Sequence, residues 1–80
     1  MKGIVVAVHP TRGTTAVNIG EGNFAVLECE ECVFRVNDII TGIRDDLFTQ
    51  EVVNVTQGTR HTVMVESTDS TRKHALGFTR

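Results

Sequence analysis

With 80 residues, a formal net charge of −2 and no apolar run close to the roughly 20 residues that cross a bilayer, the chain has room for one small domain and no membrane-spanning helix. Trp and Tyr are absent, Leu occurs only as Leu27, Leu47 and Leu76, and Val, Ile and Thr are abundant. β-Branched side chains lose rotamer freedom in helices and pack well on pleated sheets, so an all-β domain is expected.

The first strand is predicted over residues 2–9, where Ile4, Val5, Val6, Ala7 and Val8 form an apolar stretch too short for a signal peptide and without a small-residue cleavage site. Pro10 to Gly13 reads as a turn, with Pro preset for an early turn position and Gly free to take positive φ. A second strand follows over 14–19, then a Gly-Glu-Gly-Asn turn. Residues 23–29 alternate, with Phe24, Val26 and Glu28 on one side and Ala25, Leu27 and Cys29 on the other. Residues 30–37 fit either one helical turn or an irregular connection. Ile39, Ile40 and Ile43 mark a fourth strand, and Arg44-Asp45-Asp46 a polar turn. Residues 47–56 carry Phe48, Val52, Val53 and Val55, and Gln57 to Arg60 turn the chain into a further strand over 61–66. From Ser67 the sequence is polar and without periodicity. The domain is therefore predicted over 1–67, with 68–80 a flexible tail whose Ala75, Leu76 and Phe78 offer apolar side chains that could dock or bind a partner. Five or six short strands joined by tight turns predict a small closed barrel, which leaves no exposed edge.

The opening residues carry a resemblance. Lys2-Gly3-x-Val5, followed after three residues by His9-Pro10-Thr11-Arg12-Gly13, is similar to the start of cold-shock domains and aligns with them without a gap from Lys2 to Val17. Asn23-Phe24-Ala25-Val26-Leu27 resembles the family's third strand, and Gln50-Glu51-Val52-Val53-Asn54-Val55 its closing strand. The resemblance covers residues 2–56. It implies a five-stranded OB-type barrel that binds single-stranded RNA or DNA, here extended by the strand at 61–66. It also implies stacking aromatics on strands one to three. At those places this chain has Ala7, Val8, Thr14 and Ala16, and only Phe24 is left near the third-strand position. Each stacked base is worth about 1–3 kcal/mol, so several lost aromatics turn tight binding into weak binding.

Charge adds a second restriction. All ten acids except Glu66 and Asp69 lie in residues 21–51, so a phosphate-binding face must be assembled from the two ends of the chain. The candidate nucleic-acid contacts are Lys2, His9, Arg12 and Arg60 for phosphates, and Phe24 and Phe48 for bases. For each, the competing reading is a solvated cation or a core aromatic. Cys29-Glu30-Glu31-Cys32 has the C-x-x-C spacing, but a zinc site needs two more ligands nearby, and the three flanking glutamates oppose a reactive thiolate. Cys29 and Cys32 are thus the sole metal candidates, and the leading expectation for them is structural thiols. No Ser-His-Asp ordering, phosphate loop or carboxylate pair is evident, so neither an enzyme nor a cofactor is expected. With two Cys and no secretion signal, a cytoplasmic location is expected. Two functions remain: a weak single-stranded nucleic-acid-binding module, or a barrel that has lost that activity and serves as a protein-interaction or regulatory domain.

Overall fold

The computed structural model describes residues 1–80. Strands Gly3–Val8 (β1), Thr14–Gly20 (β2), Asn23–Glu28 (β3), Ile39–Thr41 (β4), Phe48–Asn54 (β5) and Thr59–Ser70 (β6) are followed by one helix, Arg72–Gly77 (α1). The strands form a closed antiparallel barrel in the order β1-β2-β3-β6-β5-β4, with β4 returning to pair with β1. The expected all-β barrel is therefore present, six-stranded and compatible with an OB-like fold.

The alternation read in the sequence decides which side chains enter the barrel. Val17 from β2, Ala25 and Leu27 from β3, Val52 from β5 and Val63 and Val65 from β6 point inward with Val5, Ile40 and Ile43. Phe34 joins them from the irregular connection between β3 and β4, and its ring meets the His61 imidazole edge-on at a centroid distance of 5.2 Å. The β1–β2 hairpin turns where Gly13 adopts φ +66°. A Cβ at Gly13 would lie 2.6 Å from the Cys29 carbonyl oxygen, so the close approach of the two turns requires glycine.

Polar side chains fasten the loops to this apolar interior. The buried Asp38 carboxylate accepts bonds at one oxygen from the Arg35 N–H (2.9 Å), Asn54 Nδ2 (2.8 Å) and Gln57 Nε2 (2.6 Å). Gln57 Nε2 also donates to the Val33 carbonyl, so residues 33–38 and 54–57 are tied together beside β4. Gln50 does similar work on the next loop, where its amide bonds both the N–H and the carbonyl of Arg44.

Two expectations about the second half are corrected. The strand foreseen at 61–66 is no appendage: β6 runs from Thr59 to Ser70 and separates β3 from β5. The stretch Gln50–Val55, read as the closing strand of a five-stranded barrel, lies instead between β4 and β6. The second correction concerns residues 68–80, expected as a flexible tail. Thr68 and Ser70 are buried in β6, and Thr71 caps a helix whose Ala75 is wholly buried. The hydroxyls are held by partners: Ser67 Oγ and Ser70 Oγ are 2.6 Å apart, and Thr68 Oγ1 bonds the Asp45 carboxylate. Side-chain bonding lets a polar segment continue the barrel wall past residue 67.

Candidate functional site

The six candidate contacts do not converge on one face. Lys2 precedes β1, whereas His9 and Arg12 lie beyond its other end, and a six-residue strand separates those ends by about 20 Å. His9 is engaged in the turn: its Nδ1 accepts the backbone N–H groups of Thr11 (3.1 Å) and Arg12 (3.0 Å), which assigns the proton of the neutral ring to Nε2. Arg60 pairs with Glu51 across the β5–β6 hairpin at 3.2 Å, so its charge is offset by a neighbour. Phe48 is 74% exposed and opens β5 with φ +75°. It pairs with Val65 whereas Phe24 pairs with Ser70, about 15 Å farther along β6.

Phe24 carries the main correction. The residues of β2 and β3 that alternate with the interior set, namely Ala16, Phe24 and Val26, form a second apolar cluster on the outside of the barrel, with Val6 and Ala7 at its margin. This is the face on which the cold-shock resemblance places base-stacking residues, and Ala7, Ala16 and Phe24 do lie there. Thr14 is buried, however, and Val8 packs against the interior core. The face is covered by α1. Ala75 is 0% exposed against it, Phe24 retains only 3% exposure, and the Arg72 guanidinium lies 5.8 Å from the centroid of the Phe24 ring. Phe24 is therefore a core residue of the β3–α1 interface and not a free stacking surface.

Local chemistry explains why α1 forms where the sequence looked featureless. Thr71 is extended, and its hydroxyl accepts the His74 N–H at 3.2 Å, supplying the N-cap bond that a short helix needs. At the other end the Thr79 hydroxyl donates to the Leu76 carbonyl, and the His74 and Phe78 rings meet edge-on at 5.2 Å. Thr71, Ala75 and Leu76 were the available signals, a cap and two helix-compatible residues; Gly77 lies within the helix, and Phe78 caps it. The three signals are diluted by the Arg-Lys-His run between them.

Beside the end of α1 lies an open groove of about 920 Å³, bounded by the β1–β2 turn, the end of β3 and the C-terminal residues. Arg12 and Arg80 line it together with Glu28 and Glu30, and Met64 and Phe78 add exposed apolar lining. Burial raises the pKa of Glu28, and repulsion from Glu66 and Glu30 raises it further. Mixed charge of this kind gives no continuous basic surface for a phosphate backbone.

Cys29 and Cys32, expected as thiols, are joined in a disulfide that closes the turn after β3. Both are half-buried against the interior cluster. No group of three His, Cys, Asp or Glu side chains is placed to hold a metal ion. No helix is long and apolar enough to cross a membrane.

Compared with known proteins, the chain matches no family model, no curated protein and no solved structure. The likeness to cold-shock domains therefore rests on the residues quoted above alone; the barrel is compatible with an OB-like fold and no narrower family.

Proposed function

We propose that this protein is a non-catalytic OB-like barrel that works by binding another protein, and that its outer β1–β3 face is not used for nucleic acid. The observation that carries the reading is the seating of α1 on that face, with Phe24 buried beneath it. Two features agree with it. The cations that would bind phosphates are dispersed, and Arg60 is paired with Glu51. Apolar side chains are also presented on loops made rigid by the Asp38 bonds: Val33, Val36 and Val55 are each more than half exposed. Exposed apolar groups on an ordered surface suit a protein partner better than a phosphate backbone.

The proposal keeps the cold-shock likeness as one of architecture. The cytoplasmic location read from the sequence is opposed by the Cys29–Cys32 disulfide, which suits an oxidising compartment; ready alkylation of both cysteines in intact cells would restore it, and resistance to the reagent until reduction would argue against it. The function is tested by titrating the full-length, isotope-labelled protein with short single-stranded RNA and DNA at low salt and following amide shifts. No saturable shift at millimolar oligonucleotide is expected. Shifts that cluster on β1–β3 and fade as salt is added would return the protein to the nucleic-acid binders.

A further inference from the structure

The barrel wall has a second apolar flank, and no part of the chain covers it. Outward side chains of β1, β4 and the end of β5 lie in one register. Ile4 is the Cα partner of Ile39, and the Val55 N–H donates to the Ile39 carbonyl at 2.8 Å, so Ile4, Ile39 and Val55 form one row across three strands. Thr41 pairs with Val53 in the next row. These side chains alternate with the enclosed Val5, Ile40, Val52 and Asn54, so they face out. Ile4 and Val55 are 48% and 52% exposed, and Ile39, Thr41 and Val53 are half-buried.

Charge selects the occupant. A two-fold contact sets a surface against itself, so an unpaired charge near its centre meets its own image. This flank carries no acid within the two rows. Glu51, the next outward residue along β5, is paired with Arg60 at 3.2 Å, and Lys2 stands at the margin. The other large exposed side chains fail this condition: Leu47 and Phe48 follow Asp45 and Asp46, and Met64 pairs with Glu28. Shape agrees with charge. A shallow cleft of about 300 Å³ lies beside Ile4, lined by Lys2, Gly3, Asn18, Ile19 and Gly20. Ile4 and Val55 stand on either side of Ile39, each about one strand spacing, roughly 5 Å, away. A two-fold axis through Ile39 therefore lays Val55 of each copy on Ile4 and the cleft of the other.

We propose that this flank is a self-association surface whose occupant is a second copy of the chain, in a two-fold dimer centred on Ile39. The inference is independent of the protein-binding reading above, although Val55 serves both. The barrel measures 28 × 25 × 22 Å, so one flank offers about 600 Å² against the roughly 800 Å² per partner of a standard interface. The dimer is accordingly reversible and forms as concentration rises.

The test is sedimentation equilibrium of the full-length protein from micromolar to millimolar concentration. Wild type is expected to move from the monomer mass of 8.8 kDa toward twice that value. Ile4→Lys and Val55→Lys each put an ammonium group into the apolar row. Once amide spectra show their strands retained, both are expected to weaken the dimer at least tenfold. Phe48→Ser, at the far end of β5, is expected to dimerise as wild type does. In a mixture of isotope-labelled and unlabelled wild type, filtered spectra are expected to connect the Val55 methyls of one copy with the Ile4 methyls of the other. This readout decides the matter if the lysine variants fail to fold, and its absence would overturn the inference. A wild type that stays at the monomer mass up to millimolar concentration would overturn it too, and would leave the protein-binding reading to the oligonucleotide titration. A dimer that survives both lysine substitutions, or that Phe48→Ser abolishes, would place the contact elsewhere and also overturn it.

Discussion

Replacing Asp38 by Asn tests the polar bracket that holds the loops to the barrel. One carboxylate oxygen accepts the Arg35 N–H, Asn54 Nδ2 and Gln57 Nε2 at 2.9, 2.8 and 2.6 Å, in a site where Asp38 is 4% and Asn54 0% exposed. A hydrogen bond to a charged acceptor is worth roughly 1.5–3 kcal/mol and a neutral one about 0.5–1.5, so losing the charge costs about 1 kcal/mol per bond and about 3 kcal/mol in all. The effect depends on pH. Burial by itself raises the Asp38 pKa, but the bonds from Asn54, Gln57 and Arg35 and the Arg35 charge together bring it below the ordinary 3.8. A carboxylate whose folded pKa is lowered contributes stability that is fully present above the unfolded value and is lost as pH falls through the folded one. Urea unfolding at pH 7 is therefore expected to separate Asp38→Asn from wild type by about 3 kcal/mol, and the gap is expected to narrow as pH falls below 3.8. A loss under about 1 kcal/mol at pH 7, or a gap unchanged by acid, would refute the charged-bracket reasoning.

Glu28 titrates in the opposite sense. Its raised pKa means that it opposes folding once ionised, and stability from this site rises as pH falls through the raised value toward 4.5. Glu66→Gln, which removes the repelling partner, is expected to stabilise the protein at pH 7 by about 0.5 kcal/mol after solvent screening, with the gain shrinking in high salt; a loss of stability would contradict it. Gly13→Ala is expected to lower stability by about 2 kcal/mol or more in thermal unfolding, because φ +66° is unfavourable for alanine and its Cβ would meet the Cys29 carbonyl at 2.6 Å. Reducing the Cys29–Cys32 bond is expected to cost about 2 kcal/mol, the loop-closure value for so short a ring, while leaving the strand signal in circular dichroism intact. Complete unfolding on reduction would show the bond to be a prerequisite of the barrel.

The parts of the fold legible in the sequence are those whose burial is apolar and periodic. The hairpin from Gly3 to Gly20 could be read from its apolar runs and its turn, and Phe24 to Glu28 from alternation, but not the β1 irregularity that turns both Val6 and Ala7 to the outer face. The end of β6 could not. Its buried positions are Thr68 and Ser70, and their burial depends on hydroxyl partners at Asp45 and Ser67 that no local pattern displays. The same holds for Gln50 and Asn54, interior amides whose value lies in the loops they fasten. For the candidate site, the alternation gave the correct side of the sheet for Phe24 but not its cover, because α1 is brought back onto β3 by the course of β6. The basic residues of the two chain ends are plain in the sequence. Their separation across the barrel is a property of strand length and topology.

The covered face is tested most directly by the nuclear Overhauser contacts of one methyl group. If α1 lies on β1–β3 in solution, the Ala75 methyl, 0% exposed in the structure, is expected to show cross-peaks to the Phe24 ring and to Val26 and Ala16, and a proton shift displaced by the ring current. An Ala75 methyl at its random-coil shift, without contacts to Phe24, would mean that the outer face is open and that Phe24 is available to a ligand.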